Sequence, residues 1–360
     1  VDDKTIYIMR HTSYARLDRP QAVARIASGL DFTHEGVSGM LSRAENSPER
    51  RSYDAEIVDL LQNDAHLAPS KLRQKQVLLN SQHAFNTWQR NLPDKEVAAV
   101  FISDGHIPGL QRAPFHLALE IMGYVNPVAV SAMNDAVDHK GYGRWDDGVP
   151  KSDAEADLDA LRLQEYAYYR AVHEAAPNAA LLGVAGNHDL WYMAFTARQM
   201  VRGGSSLVAD YMDFLYDACG VIQFTDSADN EAEVVLSPGL IWWHGQFASV
   251  DAKANANKTL AQFTENRIVP SVTVGHTHRP AHIPGYQVGK TGANFYNSGC
   301  LCSLKPRYMK RRPQGWGWGI VINYFTPRTT QERGYVIEFR QTSNRLEAEF
   351  NGRHFSVPIT

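Results

Sequence analysis

The chain has 360 residues, enough for one large domain or two modest ones with a full-sized core. Its formal net charge of −3 excludes a global electrostatic pull toward nucleic acid or membrane, and no apolar stretch approaches membrane-span length. Three cysteines (Cys219, Cys300, Cys302) make no disulfide framework; the odd count points to a reducing compartment, hence a cytoplasmic location, and no secretory signal opens the chain.

Residues 1–95 read as a helical domain. Lys4–Met9 is predicted as a short strand or an extended arm. In the next segment Ile26, Ala27 and Leu30 share one helical face. Asp31 can take a left-handed turn position, and Thr33 is placed to cap a second helix whose inner face is Val37 and Leu41. This pattern resembles a helix-turn-helix of the winged or resolvase-like kind, with the small Ala27 where the helices touch. Gly36 and Gly39 weaken the second helix, and residues 1–94 carry twelve Lys/Arg against twelve Asp/Glu, whereas a DNA reader usually shows a basic footprint. DNA binding is the expectation; the alternative is a helical bundle that packs on the second domain or mediates dimerisation. Ser52–Gln62 and Ser70–Arg90 are predicted helices, and the domain boundary falls near Leu92–Glu96.

From Val97 the pattern changes to buried β-like runs alternating with helices, the signature of an α/β fold. Each run ends in a polar block. Asp104-Gly105-His106 follows Val97–Ile102; Asp135 and Asp138 follow Pro127–Ala132; Gly186-Asn187-His188-Asp189 follows Ala179–Ala185. His244 follows Leu240–Trp243, and Gly275-His276-Thr277-His278 ends Ile268–Val274, with Gly275 read as the residue that lets the chain turn. Positions just after strands are where an α/β fold presents catalytic residues, and this mixture of carboxylates, an amide and imidazoles suits divalent metals. Helices are predicted at Pro114–Met122, Asp153–Glu174, Trp191–Gln199 and Ser206–Cys219. A Gly-rich loop, Lys140–Trp145, is expected to border the site.

Further on, Ala293–Asn297, Gly319–Tyr324, Tyr335–Phe339 and Leu346–Phe350 read as strands. Cys300-x-Cys302 is read as packing or incidental rather than as a metal pair. Between it and Gly319 lies a basic stretch with Lys305, Arg307, Lys310, Arg311 and Arg312, followed by Trp316 and Trp318 on flexible glycines. Basic groups can track a phosphate backbone and indoles can stack on bases, so these seven are the candidate nucleic-acid-binding residues. The alternative is a solvated loop with both Trp packed back.

Five blocks in this order, Asp104-x-His106, Asn134-Asp135-x-x-Asp138, Gly186-Asn187-His188-Asp189, His244 and Gly275-His276-x-His278, resemble the calcineurin-like metallophosphoesterases. The likeness covers roughly Glu96 to the C-terminal strands. It departs at Asn134, where that family usually has Gly. The resemblance implies a four-layer α/β/β/α sandwich over residues 96–360 and two divalent ions, Mn expected, with Fe, Zn, Ni and Mg as alternatives. By the same resemblance Asp104, His106 and His278 hold one ion, Asn187, His244 and His276 the other, and Asp135 is shared. A bridging water-derived hydroxide would attack the phosphorus. His188 would serve the leaving oxygen, with Asp189 or another acid setting its tautomer.

The protein phosphatase branch has Arg after the second Asp and Glu after Asn-His; His139 and Asp189 stand there instead. The expected function is therefore a phosphodiesterase or nuclease acting on DNA, resembling in organisation the phosphoesterases of phage and mobile-element genomes. One alternative is a small-molecule or nucleotide phosphatase or phosphodiesterase whose N-terminal domain serves homo-oligomeric assembly. The other is a DNA-binding regulator without catalysis.

Overall fold

The computed structural model describes residues 1–12, 18–56, 68–139, 151–192, 211–222, 233–247, 251–263, 270–284, 292–306 and 315–359. The chain divides into two compact units: Val1–Val77 with Thr196–Met212, and Leu78–Phe195 with Asp213–Thr360.

The first unit contains helices α1 (Asp3–Thr12), α2 (Arg19–Leu30) and α3 (His34–Glu45). The predicted strand or arm at Lys4–Met9 is therefore corrected to a helix. Ile and Tyr favour strands locally, but Ile6, Tyr7 and Ile8 are buried in one cluster with Ile26, Ala27, Val37 and Leu41, and that burial outweighs local preference. The turn between α2 and α3 is built as its residues suggest. Asp31 is left-handed at φ 56° and caps α2, and the Thr33 side chain accepts from the Gly36 amide. Gly36 and Gly39 do not prevent a twelve-residue α3, because Val37 and Leu41 are fully buried against its neighbours. Residues 50–56 are helical, whereas Ile57–Gln62 of the predicted Ser52–Gln62 helix lie outside the described residues.

Helix α4 (Ala68–Asn91) follows. Beyond it come β1 (Val97–Phe101), α5 (Arg112–Val125), β2 (Ala129–Met133), α6 (Lys151–Ala175), β3 (Ala180–Val184) and β4 (Val221–Ile222). Next are β5 (Val234–Ser237), β6 (Leu240–Trp242), α7 (Ala252–Gln262), β7 (Ser271–Val274), β8 (Ala281–Ile283) and β9 (Phe295–Asn297). The chain ends with β10 (Gly319–Phe325), β11 (Glu332–Glu338), β12 (Arg340–Gln341), β13 (Arg345–Phe350) and β14 (Arg353–Pro358). Of the predicted Ser206–Cys219 helix, the described part is helical at 211–213 and then a π-turn over Phe214–Ala218.

The strands form a mixed six-stranded sheet, β11-β10-β1-β2-β3-β4, a mixed five-stranded sheet, β5-β6-β7-β9-β8, and a three-stranded sheet, β12-β13-β14. The two larger sheets share one core. Ala99 and Phe101 of β1, Leu182 and Val184 of β3 and Val321 of β10 meet Val234, Leu240, Trp242 and Tyr296 from the other sheet. β1 and β2 are buried along their whole length, as expected of parallel strands covered on both faces. A buried polar bridge ties the sheets: Asn323 Oδ1 accepts from Trp242 Nε1 at 2.9 Å and from Thr273 Oγ1 at 3.0 Å. Alternate residues of β7, Val272 and Val274, turn outward onto Ala256 and Leu260 of α7.

β1, β2 and β3 run parallel, as do β6, β7 and β9. Every polar block singled out by the sequence thus leaves the C-terminal end of a strand.

Candidate metal centre

The loops after β1 and β2 are laced together by their backbones. The Asp104 amide donates to the Asn134 carbonyl at 2.9 Å, and the His106 amide donates to that of Asp135 at 2.9 Å. Asp104, His106, Met133, Asn134, Asp135, His139, His276 and His278 all have positive φ. For residues other than Gly that region is costly, and it persists only where surrounding structure enforces it. Its concentration in these blocks marks backbone bent to aim side chains.

Two glycines are required by close approach. A Cβ on Gly186 would lie 2.0 Å from Asp135 Oδ1, and one on Gly275 would lie 2.6 Å from Ser103 Oγ and 2.9 Å from Asp104 Oδ2. Gly275 is thus needed for the space it leaves the carboxylate rather than for the turn expected of it.

One donor group centres on Asp104. Its Oδ1 lies 2.9 Å from His278 Nε2 and 3.6 Å from His106 Nε2, and the two ring nitrogens are 3.2 Å apart. Its Oδ2 accepts the His276 amide at 2.9 Å. The other group centres on Asp135. Its Oδ2 lies 3.1 Å from His244 Nε2, which is 3.3 Å from Asn187 Oδ1, and the His244 and His276 rings are 5.3 Å apart. Asp135 joins the groups: one set of mutually close ligand atoms is Asp104, His106 and Asp135, and another is Asp135, His244 and His276. All seven expected metal residues therefore meet at one place.

The arrangement fits divalent cations. Two imidazole nitrogens facing each other beside one carboxylate oxygen leave lone pairs converging on one point, which a cation satisfies and a hydrogen bond satisfies only in part. Asp104, Asp135, His244 and His278 are buried, while His106, Asn187, His188 and His276 are partly exposed and form the accessible members.

The electrostatics follow from burial among opposite charges. Burial lowers the His278 proton affinity, but the Asp104 carboxylate and its hydrogen bond prevail and push it up to about 9. Burial would raise the Asp104 carboxyl, yet the His278 charge and the His106 hydrogen bond hold it well below the usual range. His276 goes the other way: burial, then the His244 charge, bring it down to about 4.

His188 lies at the start of the helical stretch 187–192. Its amide donates to Asp135 Oδ1 at 2.8 Å, and its Nδ1 lies 2.9 Å from the Asp138 carbonyl and 3.2 Å from Asp138 Oδ1. Asp138 is thus the acid that orients His188. Asp189 does not fill that role, because its buried Oδ2 accepts the Gly186 amide at 2.8 Å and the Asp135 amide at 3.1 Å. Burial and then the Asp135 charge push the Asp189 carboxyl up to about 7.

Sequence reasoning missed two neighbours. Asn134 Oδ1 lies 2.7 Å from His244 Nδ1, and Cys302 Sγ stands within 4.8 Å of ring nitrogens of both His106 and His278. Only the departure from Gly at 134 and the position of Cys302 after a strand could have pointed to them. Trp316 tilts on His278 with ring centroids 4.0 Å apart, whereas Trp318 spends its Nε1 on the Cys302 carbonyl at 2.8 Å. Lys305 is exposed; Arg307, Lys310, Arg311 and Arg312 lie outside the described residues, as do Lys140–Trp145 and 193–199 of the predicted Trp191–Gln199 helix. No described helix is long and apolar enough to cross a membrane.

No family model matches the chain, and no curated protein matches it.

Proposed function

We propose that the protein is a two-metal phosphoester hydrolase of the calcineurin-like metallophosphoesterase type. The observation that carries this reading is the meeting of two donor groups that share Asp135 at the C-terminal ends of β1, β2, β3, β6 and β7, with His188 beside them. The shared core of the two sheets, with α7 on the outer face of the second, supports the four-layer α/β/β/α sandwich of that type.

Asp104, His106 and His278 would hold one ion, Asn187, His244 and His276 the other, with Asp135 between them. Such a pair, when bound, neutralises phosphate charge and lowers the pKa of a coordinated water. The protein's own part is to position and to move a proton. Burial lowers the His188 proton affinity, but the Asp135 charge and the Asp138 hydrogen bond raise it above the ordinary imidazole value. With Nδ1 committed to Asp138, Nε2 of the imidazolium is the atom that donates to the departing alkoxide.

A phosphodiester of DNA is the proposed substrate, supported by the capped α2–α3 turn and by Trp316 beside His278, where a base could stack. A second reading, a small-molecule diester with the first unit used for assembly, is favoured by its ion pairs: Arg19 is bound to Glu45, Arg43 to Asp3 and Lys4 to Glu56. Arginines neutralised in this way contribute little to phosphate binding.

The test is Mn²⁺-dependent cleavage of end-labelled single- and double-stranded DNA, with bis(p-nitrophenyl) phosphate alongside and Asp135→Asn as control. DNA cleavage lost in the variant supports a nuclease. Hydrolysis of the small diester with intact DNA moves the assignment to the second reading. No hydrolysis of either by metal-loaded protein overturns both.

A further inference from the structure

Segment 300–302 runs against the first donor group. The Leu301 and Cys302 amides both donate to the Asp104 carbonyl, at 3.2 Å and 3.1 Å, and Cys302 forms a β-bridge with Leu110. The Cys302 carbonyl accepts the Trp318 indole at 2.8 Å. Cys302 is therefore anchored at its amide to the residue at the centre of the group and at its carbonyl to the indole of Trp318, just before β10.

Its side chain is directed at the same centre. Cys302 Sγ, one nitrogen of His106 and one nitrogen of His278 all lie within 4.8 Å of one another. The residue is 95% buried, and its thiol meets the Ser303 carbonyl at 3.8 Å and the side chains of Cys300 and His278. Cys300, two residues earlier, belongs to no such group among the described residues; its Sγ lies 3.7 Å from the Gly317 carbonyl.

We propose that Cys302 is a thiolate ligand of the ion held by Asp104, His106 and His278. This rests on the metal-centre reading above and goes beyond the ligand set that reading names. On binding, the Sγ–H bond breaks, its proton leaves to solvent, and the sulfur lone pair forms the bond to the cation. A set of carboxylate, two imidazoles and thiolate is softer than oxygen and nitrogen alone, so this position selects Zn²⁺ or Co²⁺ over Mg²⁺. The competing account is a buried cysteine that merely fills space.

The experiment uses the full chain loaded with Zn²⁺, its metal content measured, and the metal's X-ray absorption fine structure recorded. The expected result is a sulfur scatterer at about 2.3 Å in the wild type and in Cys300→Ser, absent in Cys302→Ser. Co²⁺ loading should show a thiolate-to-cobalt charge-transfer band with the same pattern. Stoichiometric metal with a shell of nitrogen and oxygen only overturns the Cys302 assignment and leaves the metal centre standing. Failure to retain any metal overturns both. Because the wild-type spectrum decides the question by itself, a misfolded Cys302→Ser does not block the test.

Discussion

Asn134 Oδ1 lies 2.7 Å from Nδ1 of His244, on the far side of the ring from Asp135. An amide oxygen only accepts, so it holds a proton on Nδ1 and leaves Nε2 as the nitrogen that would face a cation beside Asp135 and Asn187. Asn134 also donates through Nδ2 to the Ile102 carbonyl at 2.6 Å, and its φ of 56° suits the left-handed turn. It serves the backbone, as its residue type suggests, and it also orients a ligand. Groups in this position typically change metal affinity 10–100-fold. Asn134→Gly keeps the turn and removes the amide. The expected outcome is loss of roughly tenfold in affinity for one of two ions, read by metal titration, with the other unchanged.

Asp138→Asn tests the orientation of His188. The carboxylate faces His188 Nδ1 at 3.2 Å and His106 Nδ1 at 3.5 Å, and it helps hold His188 protonated. With the carboxylate gone, general-acid catalysis weakens, an effect of roughly 10² in kcat for substrates whose leaving group needs a proton. The loss should be much smaller for bis(p-nitrophenyl) phosphate, whose leaving group is already stable. Equal losses on both substrates, or loss of bound metal, would place Asp138 in metal binding instead.

Proton and metal compete at His278. Its folded-state pKa of about 9 lies above the ordinary value of 6.5, so the metal-free protein gains stability that is fully present below pH 6.5. That stability is lost as pH rises through 9. Metal affinity moves the opposite way, because binding displaces the proton: each pH unit gained below 9 should strengthen binding about tenfold per proton displaced. Thermal melts and metal titrations between pH 6.5 and 9 check both signs, and a melting temperature of metal-free protein that climbs over this interval would contradict the Asp104–His278 pairing.

Phe85 and Leu92 lie before the expected start of the second domain at residue 96, yet both are in the core shared by the two large sheets. Trp88 packs on the same core and donates to the Val128 carbonyl at 3.2 Å. Phe85→Ala should therefore destabilise the protein by about 3 kcal/mol in urea unfolding, at the low end for such core truncations. A change within about 0.5 kcal/mol would mean that this helix end only rests on the surface.

The order of the polar blocks and the apolar runs before them was enough to place Asp104, His106, Asp135, Asn187, His244, His276 and His278 at strand ends, because buried parallel strands read as continuous apolar segments whose C-terminal ends open on one edge. Asp31 and Thr33 were legible for a similar reason: turns and caps are local hydrogen-bond chemistry. Tertiary structure decided everything that depends on residues far apart in the chain. Lys4–Met9 became a helix because burial against α2 and α3 overrode local strand preference. Asp138 rather than Asp189 came to face His188, since Asp189 is turned inward onto two amides. Asn134 met His244 across 110 positions, and Cys302 came to the Asp104 group only when its segment lay down beside β1's loop. Local sequence encodes φ, ψ and burial pattern; which side chains share a point in space is set by the register and packing of two sheets.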